Sequence, residues 1–268
     1  MDPGELREEM VDGLEERLVV DEAVSLAMRT VPRHEFVDDA PYHNARERVA
    51  GTTALSPEMV ARLLTALDVD ARATTPRATA SASQTDEADE KRADAIGDVL
   101  VVGAGVGYTA AVLAELLDET RVHAVDIDRR LVHTARSNLE SAGYGGVLVD
   151  ARDGARGLPE YAPFDRILVE AAAISPPSAL VEQLTPEGRL VLPLGGPEQT
   201  LAAVDAAGEV RERHGPVAFK PLLVEGEQDS APVRNRTARE EAERASTQGY
   251  FAKTGWEREW IDWDEQLR

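Results

Sequence analysis

Two hydrophobic patterns divide the chain. Within residues 1–70 apolar positions recur at helical spacing. Val24, Leu26, Ala27 and Val31 follow Asp21, a residue suited to an N-cap, and Pro32 ends the run. Ser56-Pro57 opens a second predicted helix, cap and then first-turn proline, with Met59, Val60, Leu63, Leu64 and Leu67 on one face. Residues 33–55 between them carry no period and read as irregular. From residue 97 onward the apolar positions come as short unbroken runs: Val99–Val102, Val122–Val125, Val147–Val149, Ile167–Val169 and Leu190–Leu192. Helix-length segments or turns separate them. Such alternation predicts an α/β fold with a doubly wound, mostly parallel sheet, buried on both faces. Thr200–Val204 and Val217–Leu223 are expected to add antiparallel end strands.

Two stretches break this pattern. Residues 71–96 are rich in Ala, Thr, Ser, Asp and Glu, without aromatics or periodicity, and read as a disordered acidic linker or insertion. Residues 226–268 read as a polar tether followed by a helix. There Trp256, Trp260 and Trp263 fall on one stripe, and residues 240–266 are expected to dock on the rest of the chain. The predicted organisation is therefore a helical region at 1–70, the linker, an α/β domain at 97–225, and the tether with its tryptophan helix.

Composition narrows the function classes. Fifty Asp and Glu against 29 Lys and Arg give a formal charge of −21, and Lys91, Lys220 and Lys253 are the only lysines. So negative a field disfavours nucleic acid as a partner. It suits a salt-accumulating cytosol, because at molar salt the Debye length shrinks to about 3 Å and carboxylate repulsion is screened. No apolar run reaches the roughly 20 residues of a membrane span, so no membrane association is expected. Met1–Glu16 is acidic with no apolar stretch, so no secretory leader is expected and the cytoplasm is the expected location. The 268 residues include no cysteine, which removes thiolate chemistry. His34, His43, His123, His133 and His214 show no metal-ligand spacing, and no G-x-S-x-G elbow is present.

The strongest candidate chemistry is Gly103-Ala104-Gly105-Val106-Gly107, directly after a predicted strand and before a predicted helix. Glycines let backbone turn sharply and approach a ligand, with helix N–H groups facing the site. The next strand ends in Asp126, followed by Ile127, and a carboxylate there suits the two hydroxyls of a ribose. Dinucleotide enzymes space the third glycine as G-x-G-x-x-G. The tighter G-x-G-x-G suits S-adenosylmethionine, which has no pyrophosphate to cradle. Asp153-Gly154, past the third strand, is placed to hold the adenine amino group.

Longer matches make the resemblance specific. The segments VLVVGAGVGYTAAVLAEL (99–116), AVDIDRRLVHTARSNLESAGY (124–144), PFDRILVEAAA (163–173) and LTPEGRLVLPLGG (184–196) resemble the protein-L-isoaspartate O-methyltransferase family. So do VPRHEFV (31–37), GTTALSPEMVARLLTALD (51–68) and AFKPL (218–222). The resemblance implies a class I S-adenosylmethionine-dependent methyltransferase fold with an N-terminal helical region. It further implies methyl transfer to isoaspartyl carboxylates of damaged proteins, a repair reaction. Gly103, Ala104, Gly105, Gly107, Asp126, Ile127, Asp153 and Gly154 would hold the cofactor. Thr52, Thr53, Ser56 and Ala171, Ala172 and Ala173 would frame the acceptor.

Three departures stand out. The family's acidic residue two positions before the first glycine, which helps hold the cofactor's methionine end, is Val101 here. The approach to Gly51 is shortened and reads Arg48-Val49-Ala50. The serine assigned to the active site is replaced by Leu55, with hydroxyls at Thr53 and Ser56 on either side. Two alternatives follow from Leu55: a methyltransferase for another carboxylate or small molecule, or a non-catalytic module that binds cofactor and recognises damaged protein.

Overall fold

The computed structural model describes residues 2–69 and 96–223. The tether and docked tryptophan helix expected within 226–268 and, but for Ile96, the linker expected at 71–96 lie outside the described residues.

The chain begins with helix α1 (Pro3–Glu15), capped by the Asp2 carboxylate. Sequence periodicity did not single it out, because Met10, Val11 and Leu14 are its only fully buried side chains among acidic neighbours. Helix α2 (Glu22–Thr30) starts where expected: Asp21 accepts the N–H of Ala23 at 2.8 Å. Of its predicted apolar face, Leu26 is in fact 66% exposed. Arg29 clamps α2 to α1 through Glu8, Asp12 and Glu15.

Residues 33–55 are more ordered than their aperiodic sequence suggests. A 3-10 turn (Arg33–Glu35) leads to a two-stranded hairpin, β1 (Glu47–Val49) and β2 (Thr52–Ala54), closed by Ala50 and Gly51 at positive φ. Positive φ at both central residues is the type I′ geometry that matches strand twist. Helix α3 (Pro57–Leu67) follows, with Ser56 as its N-cap. Met59, Val60, Leu63, Leu64 and Leu67 are all buried, and each fully buried leucine stabilises the fold by about 1.5–3 kcal/mol. Helix C-termini leave carbonyls without partners. Two sheet arginines fill that need: Arg189 donates to Ala66 O at 2.8 Å and Arg166 to Asp68 O at 3.1 Å. They tie α3, and the hairpin before it, to the sheet.

The α/β part runs β3 (Val99–Val102), α4 (Tyr108–Leu116), β4 (Val122–Asp126), α5 (Arg129–Ser141), β5 (Leu148–Ala151), β6 (Phe164–Val169), α6 (Ser178–Val181), β7 (Leu184–Gly195), β8 (Gln199–Asp205) and β9 (Val210–Val217). The seven strands lie in the order β5-β4-β3-β6-β7-β8-β9, parallel from β5 to β7 and antiparallel at β8 and β9. Alternate side chains feed two cores: Val99 and Val101 face the helices α1–α5, and Leu100 and Val102 face the core that includes Leu158 and Leu180. The last strand lies earlier than expected. Val210–Val217 forms the sheet edge, while residues 218–222 form no strand and meet the fold at the Ala172–Pro221 bridge. They also meet the sheet through Phe219, whose N–H and C=O bond the Gln199 side chain of β8 at 2.7 and 3.0 Å. The apolar residues of that segment reflect side-chain packing, whereas the edge strand is largely exposed and paired through backbone.

Candidate active site

The chain leaves β3 for β4 and β5 on one side and returns to β6 on the other. Ligands in open α/β sheets bind in the crevice beyond the strand C-termini at such a reversal. Gly103–Gly107 and Glu170 sit there, after β3 and β6 respectively. Gly103, Gly105 and Gly107 all have positive φ. A Cβ on Gly107 would lie 3.3 Å from the Ala135 carbonyl oxygen, so the loop can pack against α5 only as glycine. Gly107 is the N-cap of α4 and lends no side chain to that helix's first N–H groups.

Asp126 ends β4 and is nearly buried. Its carboxylate accepts the Gly105 N–H at 3.0 Å and the Asp128 N–H at 2.9 Å, which fixes the glycine loop against β4. Desolvation pushes its pKa up, and the backbone N–H groups oppose the shift. A carboxylate has about four acceptor positions, so Asp126 keeps capacity for a hydroxyl donor. Half-buried Ile127 follows. Asp153 caps the 3-10 turn Gly154–Arg156, its Oδ1 accepting from the Ala155 N–H at 3.0 Å. A Cβ on Gly154 would fall 2.3 Å from Val102 Cγ1, so only glycine lets this turn sit against β3. Glycine-loop backbone, a strand-end carboxylate with spare acceptor capacity, an apolar neighbour and a capped acidic turn together fit an adenosyl ligand.

A cleft joins this half to the N-terminal region. It is lined by Thr52, Thr53, Ala54 and Leu55 on one side and by Ala104, Gly105, Thr109 and Glu170 on the other, with Arg33 and Tyr108 among the rest. Arg33 holds the N-terminal wall. Its guanidinium, 1% exposed, donates to Pro41 O at 2.7 Å and Leu55 O at 2.6 Å, and lies 4.5 Å from the Tyr108 ring centroid. Burial lowers its pKa, with the tyrosine opposing. The first turn of α3 is fastened in turn by Asn44, which exchanges hydrogen bonds with the Glu58 N–H and carboxylate.

Not every residue expected at the site reaches the cleft. The Ser56 hydroxyl accepts the Met59 N–H at 3.3 Å as a helix cap, and Ser56 does not line the cavity. Ala172 and Ala173 spend their N–H and C=O groups on Lys220, Leu222, Pro193 and Gly195, forming a wall behind the cleft with Ala171. His34 bonds Tyr42 at 2.6 Å and does not line the cleft. No group of three or more His, Asp or Glu that could hold a metal occurs among the described residues. Sequence reading missed Arg33, Tyr108, Thr109 and Glu170. Glu170 had a signal: an acid directly after the apolar run Ile167–Val169, where buried parallel strands open onto a crevice.

Fold and site together define a class I S-adenosylmethionine-dependent methyltransferase. The chain belongs to the protein-L-isoaspartate(D-aspartate) O-methyltransferase family, whose model matches residues 5–76 and 87–227. It is 38% identical over 227 residues to the protein-L-isoaspartate O-methyltransferase of Azoarcus sp. (strain BH72), covering 82% of this chain and 94% of that protein. The Aeropyrum pernix protein of the same name is 40% identical over 237 residues, covering 82% and 80%. A Plasmodium falciparum structure described as a beta-aspartate methyltransferase in complex with S-adenosyl-L-homocysteine superposes with a TM-score of 0.66 at 20% identity. That match covers 81% of this chain and 98% of the other, and it shows the shared fold. No helix among the described residues is long and apolar enough to cross a membrane.

Proposed function

We propose that the chain methylates the carboxylate of L-isoaspartyl residues in damaged proteins, and that the segment at 52–55 presents that carboxylate to the glycine loop. The observation that carries this reading is the cleft itself, which opposes Thr52, Thr53, Ala54 and Leu55 to Ala104 and Gly105. S-adenosylmethionine, when bound, supplies a methyl group activated by a sulfonium. The chain's residues then have chiefly a positioning task. An isoaspartyl carboxylate with a pKa near 4 is already ionised at neutral pH and needs no general base. Fixing two reactants can supply about 7–11 kcal/mol. Asp126 would hold the ribose hydroxyls, and Ile127 and Asp153 would hold the adenine. Thr52 and Thr53 donate to the acceptor carboxylate. Thr53 is better placed to donate than Ser56, because Thr53 lines the cleft and Ser56 does not. Arg33 holds the Leu55 carbonyl and through it the bend between hairpin and α3.

Leu55 favours a second reading, in which a different carboxylate is the acceptor, because it offers no hydroxyl where the family has a serine. Transfer of labelled methyl to an isoaspartyl peptide, but not to its aspartyl twin, supports the first reading. Labelling of neither peptide, by protein that binds S-adenosylhomocysteine, rejects it.

The charge of −21 and the scarcity of lysine support a salt-rich cytosol as the working environment. Under that proposal the melting temperature rises from low to molar KCl. A flat or falling melting temperature contradicts it.

A further inference from the structure

Glu170 is an acid in an unusual position. Its Oε1 is sealed from solvent and has no hydrogen-bond partner, yet the residue lines the cofactor cleft. Its backbone is fixed by the bond from Glu170 N–H to Val102 O at 2.8 Å. Its Cβ packs on the glycine loop: a Cβ built on Gly103 would lie 3.4 Å from it. On the neighbouring strand no carboxylate precedes that loop, because Val99–Val102 are all apolar and buried. Strands β3 and β6 pair Val102 with Val169, so Glu170 follows β6 at the level where Gly103 follows β3.

We propose that Glu170 is the carboxylate that receives the α-ammonium group at the methionine end of the cofactor, doing from β6 what Val101 cannot do from β3. This rests on the cofactor reading given above. A buried carboxylate with an unpartnered oxygen is costly unless a cation arrives. The groups facing it do not supply one in full. Asp126 from the end of β4 adds negative charge, the Thr109 hydroxyl from α4 gives one hydrogen bond, and Arg33 is already divided between two backbone carbonyls. The acceptor cannot be the missing partner, since it is itself a carboxylate and would be repelled. The α-ammonium of the cofactor has the right sign and belongs at this end of the glycine loop.

Burial, with Asp126 adding to it, pushes the Glu170 pKa up to about 7, against the Thr109 bond and Arg33. The sign of the pH effect follows. Below about pH 7 the carboxyl of the free protein is largely protonated and must give up its proton to form the pair; above it the pair forms without that cost. The ligand's α-ammonium, beside its own carboxylate, keeps its proton through this range. Affinity for ligands carrying that group therefore rises as the pH is raised through about 7. Binding at about pH 6.5 releases a proton from Glu170.

Isothermal titration of the full chain tests this with two probes, S-adenosylhomocysteine and 5′-methylthioadenosine, which shares the adenosine but lacks the amino-acid end. Glu170→Gln is expected to weaken S-adenosylhomocysteine roughly ten- to a hundredfold. It is expected to leave 5′-methylthioadenosine within about twofold, which also reports that the variant is folded. Proton release at about pH 6.5, read from buffers of different ionisation enthalpy, is expected in the wild type and absent in the variant. Unchanged S-adenosylhomocysteine affinity, or equal weakening of both ligands, overturns the proposal. Wild-type protein that binds S-adenosylhomocysteine but does not label isoaspartyl peptide rejects the proposed acceptor and leaves the role of Glu170 standing. Wild-type protein that binds neither ligand rejects both.

Discussion

The two sides of the cleft are built by different means. The cofactor side is made of strand ends: Gly103–Gly107 after β3, Asp126 at the end of β4, Asp153 past β5 and Glu170 after β6, all set by one parallel sheet. Its geometry is inherited from a ladder buried on both faces, and Asp126 locks the loop through the Gly105 N–H. The acceptor side is a short hairpin and a bend, with little regular structure of its own. A single buried guanidinium, Arg33, holds the Leu55 and Pro41 carbonyls. The lesson is about robustness. Many backbone bonds share the work on the cofactor side, so losing one side chain there should cost ligand contacts more than architecture. On the acceptor side a two-stranded ladder depends on a few side chains, Arg33 and Asn44 at the wall and Arg166 and Arg189 at the end of α3. Losing Arg33 should therefore cost architecture first.

That contrast can be broken by substitution. Asp126→Ala is expected to produce the largest effect, a loss on the order of a hundredfold in S-adenosylhomocysteine affinity, since a charge-assisted acceptor disappears. Titration calorimetry checks it, and a change of less than about threefold would mean that Asp126 serves only the loop. Arg33→Met is expected to lower stability by about 2–4 kcal/mol, because two buried carbonyls lose their donor. Denaturant unfolding measures that loss. The accompanying signature is a raised KM for isoaspartyl peptide with 5′-methylthioadenosine affinity little changed. If 5′-methylthioadenosine binding collapses in parallel, the two sides are not separable. Leu55→Ser is expected to give the smallest effect, a rise in kcat/KM of roughly tenfold from one added hydrogen bond to a charged group. No change in labelling rate would indicate that Thr53 already supplies that bond.

How much of this was legible beforehand depended on whether a residue's role is local. The five parallel strands, the caps Asp21 and Ser56, and the glycine loop all show in short windows, because each follows from periodicity or from a backbone conformation that few residues allow. The edge strand β9 did not show. Its Val210–Val217 sequence is polar and largely exposed, and backbone pairing alone makes it a strand. Nor did the hairpin at 47–54, whose three-residue strands are too short to display a period.

The sequence by itself determined the α/β class, the parallel strands as apolar runs, the glycine loop with Asp126 at the next strand's end, and membership of the isoaspartyl methyltransferase family. Those features repeat a physical rule within a few residues. Only the tertiary structure decided that Ser56 caps a helix outside the cleft, that buried Arg33 holds the Leu55 carbonyl, and that Glu170 lines the cleft. Each of these depends on partners far along the chain: Leu55 carbonyl for Arg33, and Val102 and Asp126 for Glu170. A charged residue looks the same in sequence whether it is solvated or sealed. Packing alone separates the two, because only burial turns an ordinary carboxylate into one that requires a cation.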